Sequence, residues 1–287
     1  MKRLRRLWWI APICLMLAAA LLFGGVLAVR GDVRYRLWLH VKPYSEVELH
    51  ESAPDTEPLS LEDLLNDSRA CENHFLLLIN ENHPLPQTVS YPLTQEGSKY
   101  RMQPSVSEAF SALQKSVLEH TGEELLLRSA YRSAEEQETE WAENGGETAA
   151  RAGYSEHETG LALDVCVLGY GGMSFLKTRA GRFVGNHCYE QGFIIRYPLG
   201  KENATGFAYE PWHLRYVGAP HARVMMESNL TLEEYLEILT PDTWYQNGTY
   251  YILRTASEEV PVPIGFLSCE ISLDNLGYRV FTFQMQM

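Results

Sequence analysis

The stretch YSEHETGLALDV, residues 154–165, sets a histidine and an aspartate seven positions apart on a segment patterned as buried chain. Asp164 stands between Leu163 and Val165. A carboxylate in such company is costly unless something neutralises it. A second cluster, YEPWHLRY at residues 209–216, places Glu210 three residues before His213. Imidazole and carboxylate are good zinc ligands, and a catalytic zinc takes three protein ligands plus water. His157, Asp164 and His213 supply three, enough for one Zn2+ per chain. Gly160 lets the chain bend between the first two, and Asp164 then points inward from a strand. The bound ion would neutralise the buried carboxylate.

A water on that ion still needs a base. Glu210 stays close to His213 on any local geometry, and would take the water's proton during attack on a carbonyl, then deliver it to the leaving amine. A cation should hold the developing oxyanion, and Arg132, in SAYRS at residues 129–133, is the candidate. Each piece alone is weak: a lone histidine is more often structural, a Glu-x-x-His pair recurs by chance, and Arg132 reads equally as a strand-end surface charge. The joint occurrence carries the argument.

Around these clusters the coarse pattern is mixed α and β. Apolar residues at helical spacing (Val106, Ala109, Phe110, Leu113, Val117) predict a helix over 105–120, ended by Gly122. ELLLRSAYRS, residues 124–133, reads as a strand leaving the core, followed by a helix over about 134–142. HFLLLINENHPLP, residues 74–86, reads as a buried strand from Phe75 to Ile79 running into a turn. A helix to Gln191, a short strand after Gly192, a strand-like run at 209–218 and an amphipathic helix capped by Thr231 follow. Ser60, with Asp63 three residues on, opens a short helix. After residue 243 the texture turns to short strands separated by turns.

The 287 residues, 45% of them hydrophobic, can bury a sizeable core. The net charge of −13, with no long basic run beyond the extreme N-terminus, argues against nucleic acid as a partner. The N-terminus differs from the rest. MKRLRR precedes 23 residues without a charge, Leu7–Val29. About 20 suffice to cross a bilayer as a helix, and the basic residues ahead favour a cytoplasmic N-terminus. Arg30, Arg34 and Arg36 on the far side weaken that orientation signal without reversing it. A cleaved signal peptide is the competing reading. Either way the body of the chain is exported. The division read from sequence is 1–30 cytoplasmic tip and transmembrane anchor, 31–70 juxtamembrane spacer with little core, 71–240 catalytic domain, and 241–287 a small β-rich C-terminal appendage. The localisation expected is the cell membrane, single-pass, with the catalytic domain extracytoplasmic. Cys14 lies in the apolar run, and Cys71, Cys166, Cys188 and Cys269 form no C-x-x-C pair. Cys166 and Cys188 are the pair an oxidised domain would join; buried free thiols are the other reading.

SEHETGLALDV resembles the S-x-H-x-x-G-x-A-x-D signature of the VanY-type zinc D-alanyl-D-alanine carboxypeptidases. EPWHLRYVG resembles their E-x-W-H-x-R-Y-V-G segment, SAYRSAEEQ their S-x-Y-R-S-x-x-x-Q segment, and LLLINENHPLP their opening strand and turn. GFIIRYPLGKENATGFAYEPWH is similar to the family over its length. The resemblance covers roughly residues 73–240. It implies a hedgehog/DD-peptidase-like α+β fold, a small antiparallel sheet with flanking helices around a zinc site. It implies His157, Asp164 and His213 as zinc ligands, Glu210 as base and Arg132 as the arginine at the substrate carbonyl or oxyanion. Gln137, Ser155 and Tyr154 fall in segments that line the family's substrate site. Trp212 is expected to pack behind the metal, and Arg215 either orients a ligand or forms a surface ion pair. Ala152 precedes Gly153 where the family often has proline, which removes nothing chemical.

The function expected is removal of the terminal D-alanine from peptidoglycan stem peptides ending in D-Ala-D-Ala, outside the cytoplasmic membrane. The alternatives are a related L,D-peptidase or dipeptidase with the same zinc site, and a non-catalytic wall-binding or sensor module. Degenerate modules usually lose the base or a ligand, and this chain keeps all four residues. The C-terminal appendage would either bind wall polymer or cap the domain.

Overall fold

A computed structural model describes residues 15–16, 25, 29–86, 89–94, 99–145 and 149–286. The expected span Leu7–Val29 lies almost wholly outside these residues, and among the described residues no helix is long and apolar enough to cross a membrane.

The described chain opens with helix α1 (Gly31–Leu39), strands β1 (His50–Glu51) and β2 (Thr56–Ser60), helix α2 (Leu61–Leu65) and strand β3 (Ala70–Asn73). The Ser60 hydroxyl accepts from Asp63 N and caps α2. Residues read as a spacer with little core thus carry ordered elements. Tyr35 of α1 is buried, and Leu61 and Leu64 of α2 enter an apolar cluster with the C-terminal strands.

Helix α3 (Pro104–Thr121) follows, with proline in its first turn and left-handed Gly122 (φ 70°) at its end. Its buried face is Val106, Phe110, Leu113 and Val117, the spacing of one helical stripe. Strand β4 (Leu126–Ser129) leads to helix α4 (Ala134–Asn144), opened by a capping box between Ser133 and Glu136. A 3-10 turn (Glu156–Thr159) enters strand β5 (Ala162–Cys166). Helix α5 (Arg179–His187), strand β6 (Phe193–Ile195), the short helix α6 (Glu202–Thr205) and strand β7 (His213–Tyr216) complete the central unit. Helices α7 (Ala219–Ser228) and α8 (Leu232–Ile238) pack beside it, α8 behind a Thr231–Glu234 capping box.

Strands β4, β5, β7 and β6 form, in that order, one antiparallel sheet. Leu163, Val165, Phe193 and Leu214 from this sheet are buried with the stripe of α3 and with Val184 of α5. Each such apolar side chain contributes roughly 1.5–3 kcal/mol by leaving water. The fold is therefore mixed α+β, as expected.

The C-terminal strands β8 (Trp244–Asn247), β9 (Tyr250–Thr255), β10 (Glu259–Pro263), β11 (Ser268–Leu273) and β12 (Arg279–Gln284) do not pair only among themselves. A six-stranded sheet runs β1-β8-β9-β12-β11-β3, with β3 parallel to β11, and β2 pairs with β10.

One expected strand is corrected. Phe75–Ile79 is buried but is not a strand; the strand nearby is β3. Side chains meet several backbone groups of this segment in place of a neighbouring strand, while Leu77 N and Leu78 N donate to the His74 and Asp274 carbonyls. Arg215 donates to the carbonyls of Phe75 (3.1 Å) and Leu77 (2.9 Å), and Leu76 N donates to the Ser272 hydroxyl (2.9 Å). Cys166 and Cys188 are free thiols, Cys188 fully buried.

Candidate active site

Sheet register creates the site. On β5, Asp164 is the direct partner of His213 on β7 and of Ser129 on β4. Directly opposed residues in an antiparallel pair project to the same face, so two of the three candidate ligands meet without any loop. The third arrives from the 3-10 turn. The Ser155 hydroxyl accepts from His157 N, and left-handed Gly160 (φ 70°) ends the turn. A Cβ at Gly160 would lie 2.6 Å from Leu93 Cδ2 and 3.2 Å from Gln103 N, so only glycine makes this bend.

His157 Nδ1 donates to the Ala130 carbonyl at 2.6 Å. That leaves Nε2 as the lone-pair nitrogen, 3.5 Å from Asp164 Oδ2. His213 Nδ1 lies 3.2 Å from Asp164 Oδ1. The rings of His157 and His213 stand edge to face, centroids 5.0 Å apart. One ligand atom from each of the three residues falls within 4.8 Å of the others.

Burial opposes the charge on Asp164, but His157 and His213 outweigh it and hold the carboxyl well below its usual range. His157 Nε2 and Asp164 Oδ1 are buried with no hydrogen-bond partner among the described residues. Such orphaned atoms cost about 1–3 kcal/mol each, and a shared cation relieves both. Two imidazoles and a carboxylate also match the donor set of a catalytic zinc.

Glu210 sits at the rim of this group, with Oε2 3.8 Å from His213 Nδ1. Burial pushes its carboxyl up to about 7; His213 and Arg132 pull against that and Asp164 reinforces it. Arg132 Nη2 lies 3.5 Å from Asp164 Oδ2, and Nη1 donates to Gln137 Oε1 at 2.9 Å. A cavity of about 800 Å³ opens over the cluster, lined among others by Arg132, Gln137, Ser155, Glu210 and Trp212. Tyr154 does not line this cavity. Trp212 both lines it and packs on the core behind, so it does more than the packing role expected.

One reading of Arg215 is corrected, and Glu156 went unread in the sequence. Arg215 forms no surface ion pair: it is fully buried, its Nη1 2.6 Å from Glu156 Oε1. Glu156, the residue before His157, is itself buried against Arg215 and Arg196. The available signal was a pair of arginines in apolar runs, FIIR and HLR, because a buried cation needs a buried anion.

A mixed α+β fold that gathers His-Asp-His, a carboxylic acid of raised pKa and an arginine around one cavity has the equipment of a metallopeptidase. The chain belongs to the VanY family: the model of VanY, D-alanyl-D-alanine carboxypeptidase, matches residues 99–219. The chain is 33% identical over 231 residues to the D-alanyl-D-alanine carboxypeptidase of Enterococcus faecium, covering 72% of this chain and 74% of that protein. It is 35% identical over 185 residues to the bifunctional D-Ala-D-Ala dipeptidase and D-Ala-D-Ala carboxypeptidase VanXYC of Enterococcus gallinarum, covering 57% of this chain and 94% of that one. Among solved structures, the vancomycin resistance D,D-dipeptidase VanXYg, in complex with a D-Ala-D-Ala phosphinate analogue, is similar with a TM-score of 0.60 and 26% identity. That likeness covers 81% of this chain and 100% of the other, a share larger than residues 71–240 alone could fill. The protein is an enzyme of the D-alanyl-D-alanine carboxypeptidase type, a zinc-dependent peptidase.

Proposed function

We propose that this enzyme removes the C-terminal D-alanine of peptidoglycan stem peptides ending in D-Ala-D-Ala, with His157, Asp164 and His213 holding one zinc ion. The observation that carries the reading is the convergence of those three ligand atoms within 4.8 Å beside Glu210. Zinc bound there supplies a Lewis acid and makes water nucleophilic near neutral pH. Ionised Glu210 takes a proton from the attacking water and returns it to the amine of the departing D-alanine. The Arg132 guanidinium donates to the carbonyl oxygen as negative charge develops on it. Gln137 holds that guanidinium through Oε1. Ser155 and Gln137 bound the substrate side in this reading, both from the cavity wall, whereas Tyr154 stands outside it.

The charge-free run Leu7–Val29 behind MKRLRR supports a single-pass anchor, with residues 71–240 as the catalytic unit outside the membrane. Residues 31–70 then both leave the membrane and pair with the 241–287 strands. The 94% coverage of the bifunctional VanXYC favours one second reading, that free D-Ala-D-Ala is also cleaved. Mass spectrometry of stem pentapeptide and of D-Ala-D-Ala, each incubated with the full chain in detergent with and without chelator, tests both. Loss of one D-alanine from the pentapeptide, abolished by chelator and restored by zinc, is expected. An unchanged pentapeptide sinks the carboxypeptidase reading for this chain.

A further inference from the structure

We infer that Glu156 is a positioning residue: its buried carboxylate holds the His213 imidazole with Nε2 protonated, so that Nδ1 is the nitrogen turned toward the metal. The inference rests on the zinc reading proposed above.

Two orphaned atoms face each other here. His213 Nε2 and Glu156 Oε2 are both buried without a hydrogen-bond partner among the described residues, and they lie 3.8 Å apart. The opposite ring nitrogen, Nδ1, faces Asp164 Oδ1 at 3.2 Å. At that distance the contact between Nε2 and Glu156 is electrostatic and longer than a hydrogen bond; the carboxylate favours the tautomer with its N–H on Nε2, which leaves the Nδ1 lone pair for the ion. His157 is held in the other tautomer, because the Ala130 carbonyl takes its Nδ1–H. The fold thus fixes both rings, one through a backbone oxygen and one through a carboxylate.

Glu156 is suited to this task because it cannot move. Its Oε1 lies 2.7 Å from Arg196 Nε and 2.6 Å from Arg215 Nη1. Both arginines are fully buried and tied elsewhere. Arg196 reaches Glu233 of α8 with two nitrogens, at 2.9 and 2.7 Å, and Arg215 donates to the Phe75 and Leu77 carbonyls. Two carboxylates and two guanidiniums close a charge-balanced network, and the one carboxylate oxygen left over points at His213. A carboxylate behind a ligating histidine fixes its tautomer and makes it a stronger donor, and its loss typically costs 10–100-fold in metal affinity.

The bland alternative is that Glu156 only neutralises Arg196 and Arg215. Two charge-balanced double variants separate the readings. Glu156→Leu with Arg215→Gln removes the His213 partner; Glu233→Leu with Arg215→Gln disturbs the same network and keeps it. In the full chain, zinc dissociation constants from chelator competition should rise about 10–100-fold in the first and about threefold or less in the second. Equal weakening in both overturns the inference. Histidine 15N shifts of the zinc-loaded wild type provide a readout that needs no variant to fold. His213 should be protonated at Nε2 and metallated at Nδ1; ligation through Nε2 overturns the inference. Zinc binding by the wild type that His157→Ala and His213→Ala leave intact would instead sink the ligand assignment itself, so the two failures read apart.

Discussion

Arg132 Nη1 donates to Gln137 Oε1 at 2.9 Å, and Gln137 Nε2 donates in turn to the Ala150 carbonyl at 2.7 Å. The guanidinium, in the link between β4 and α4, is thereby fastened to α4 and to the loop that follows it. Gln137 is 1% exposed, so water does not replace this hold. Arg132→Ala should lower kcat by about 10²–10³-fold, the usual cost of losing one oxyanion donor. Gln137→Ala leaves the charge but frees it, and should lower kcat/KM by roughly tenfold, since small misplacement of a catalytic group is expensive. Steady-state kinetics on a peptide ending in D-Ala-D-Ala checks both. Equal losses in the two variants would mean that Gln137 does more than position Arg132.

Glu210→Gln keeps the shape of the side chain and removes its capacity to accept a proton. The kcat should fall by about 10²–10⁴-fold, the range for a general base. Zinc content should be unchanged, because Glu210 lies outside the three-residue cluster. Metal analysis of the purified variant beside its turnover rate tests the separation. A variant that loses zinc along with activity would make Glu210 a ligand.

The legibility of this protein follows the range of its interactions. Local signals read directly: the stripe of α3 with its Gly122 cap, the Ser60 and Thr231 caps, and the Gly160 bend all depend on neighbours in sequence. The candidate ligands were legible because motif spacing and donor chemistry named them, although the register that sets Asp164 against His213 was not. Pairings across long separations left no trace. Nothing in Phe75–Ile79 says that its carbonyls will be met by Arg215, 138 residues beyond Leu77, in place of a neighbouring strand. Nothing in residues 50–73 says that they will complete a C-terminal sheet. Glu156 was hidden by its neighbour, since the histidine beside it absorbed the chemical argument.

The pH profile of activity follows from the environment of Glu210. Burial raises its carboxyl to about 7, from a usual value of 4.5. The base works only when ionised, so kcat/KM should fall as pH drops through its pKa. A cation shared by the adjacent ligands favours the ionised form and moves that limb down from 7. The acid limb is therefore expected between 4.5 and about 7. Rates measured at saturating zinc from pH 4.5 to 8 test this, and a limb above 7 would assign it to another group.

Acid should also unfold the protein through a residue remote from the chemistry. His221 on α7 is buried between two hydroxyls, with Nδ1 2.7 Å from the Tyr235 oxygen and Nε2 3.0 Å from Thr282 Oγ1. It therefore joins α7 and α8 to strand β12 of the C-terminal sheet. Among the described residues no carboxylate forms an ion pair with it, and burial alone pulls its pKa from 6.5 down to about 3. Between those values the unfolded chain takes up a proton that the folded chain refuses, so protons favour unfolding. The stabilisation is complete above about pH 6.5 and is lost progressively as pH falls toward 3, at up to about 1.4 kcal/mol per pH unit. Burial lowers His74 as well, so it adds a slope of the same sign. The informative quantity is therefore the difference between wild type and His221→Asn. The variant should be less stable than wild type at pH 7.5, and the gap should narrow steadily in melts at pH 6.5, 6.0, 5.5 and 5.0 with zinc saturating. A gap that stays constant across that window would mean that the folded protein binds a proton at His221 as readily as the unfolded chain does.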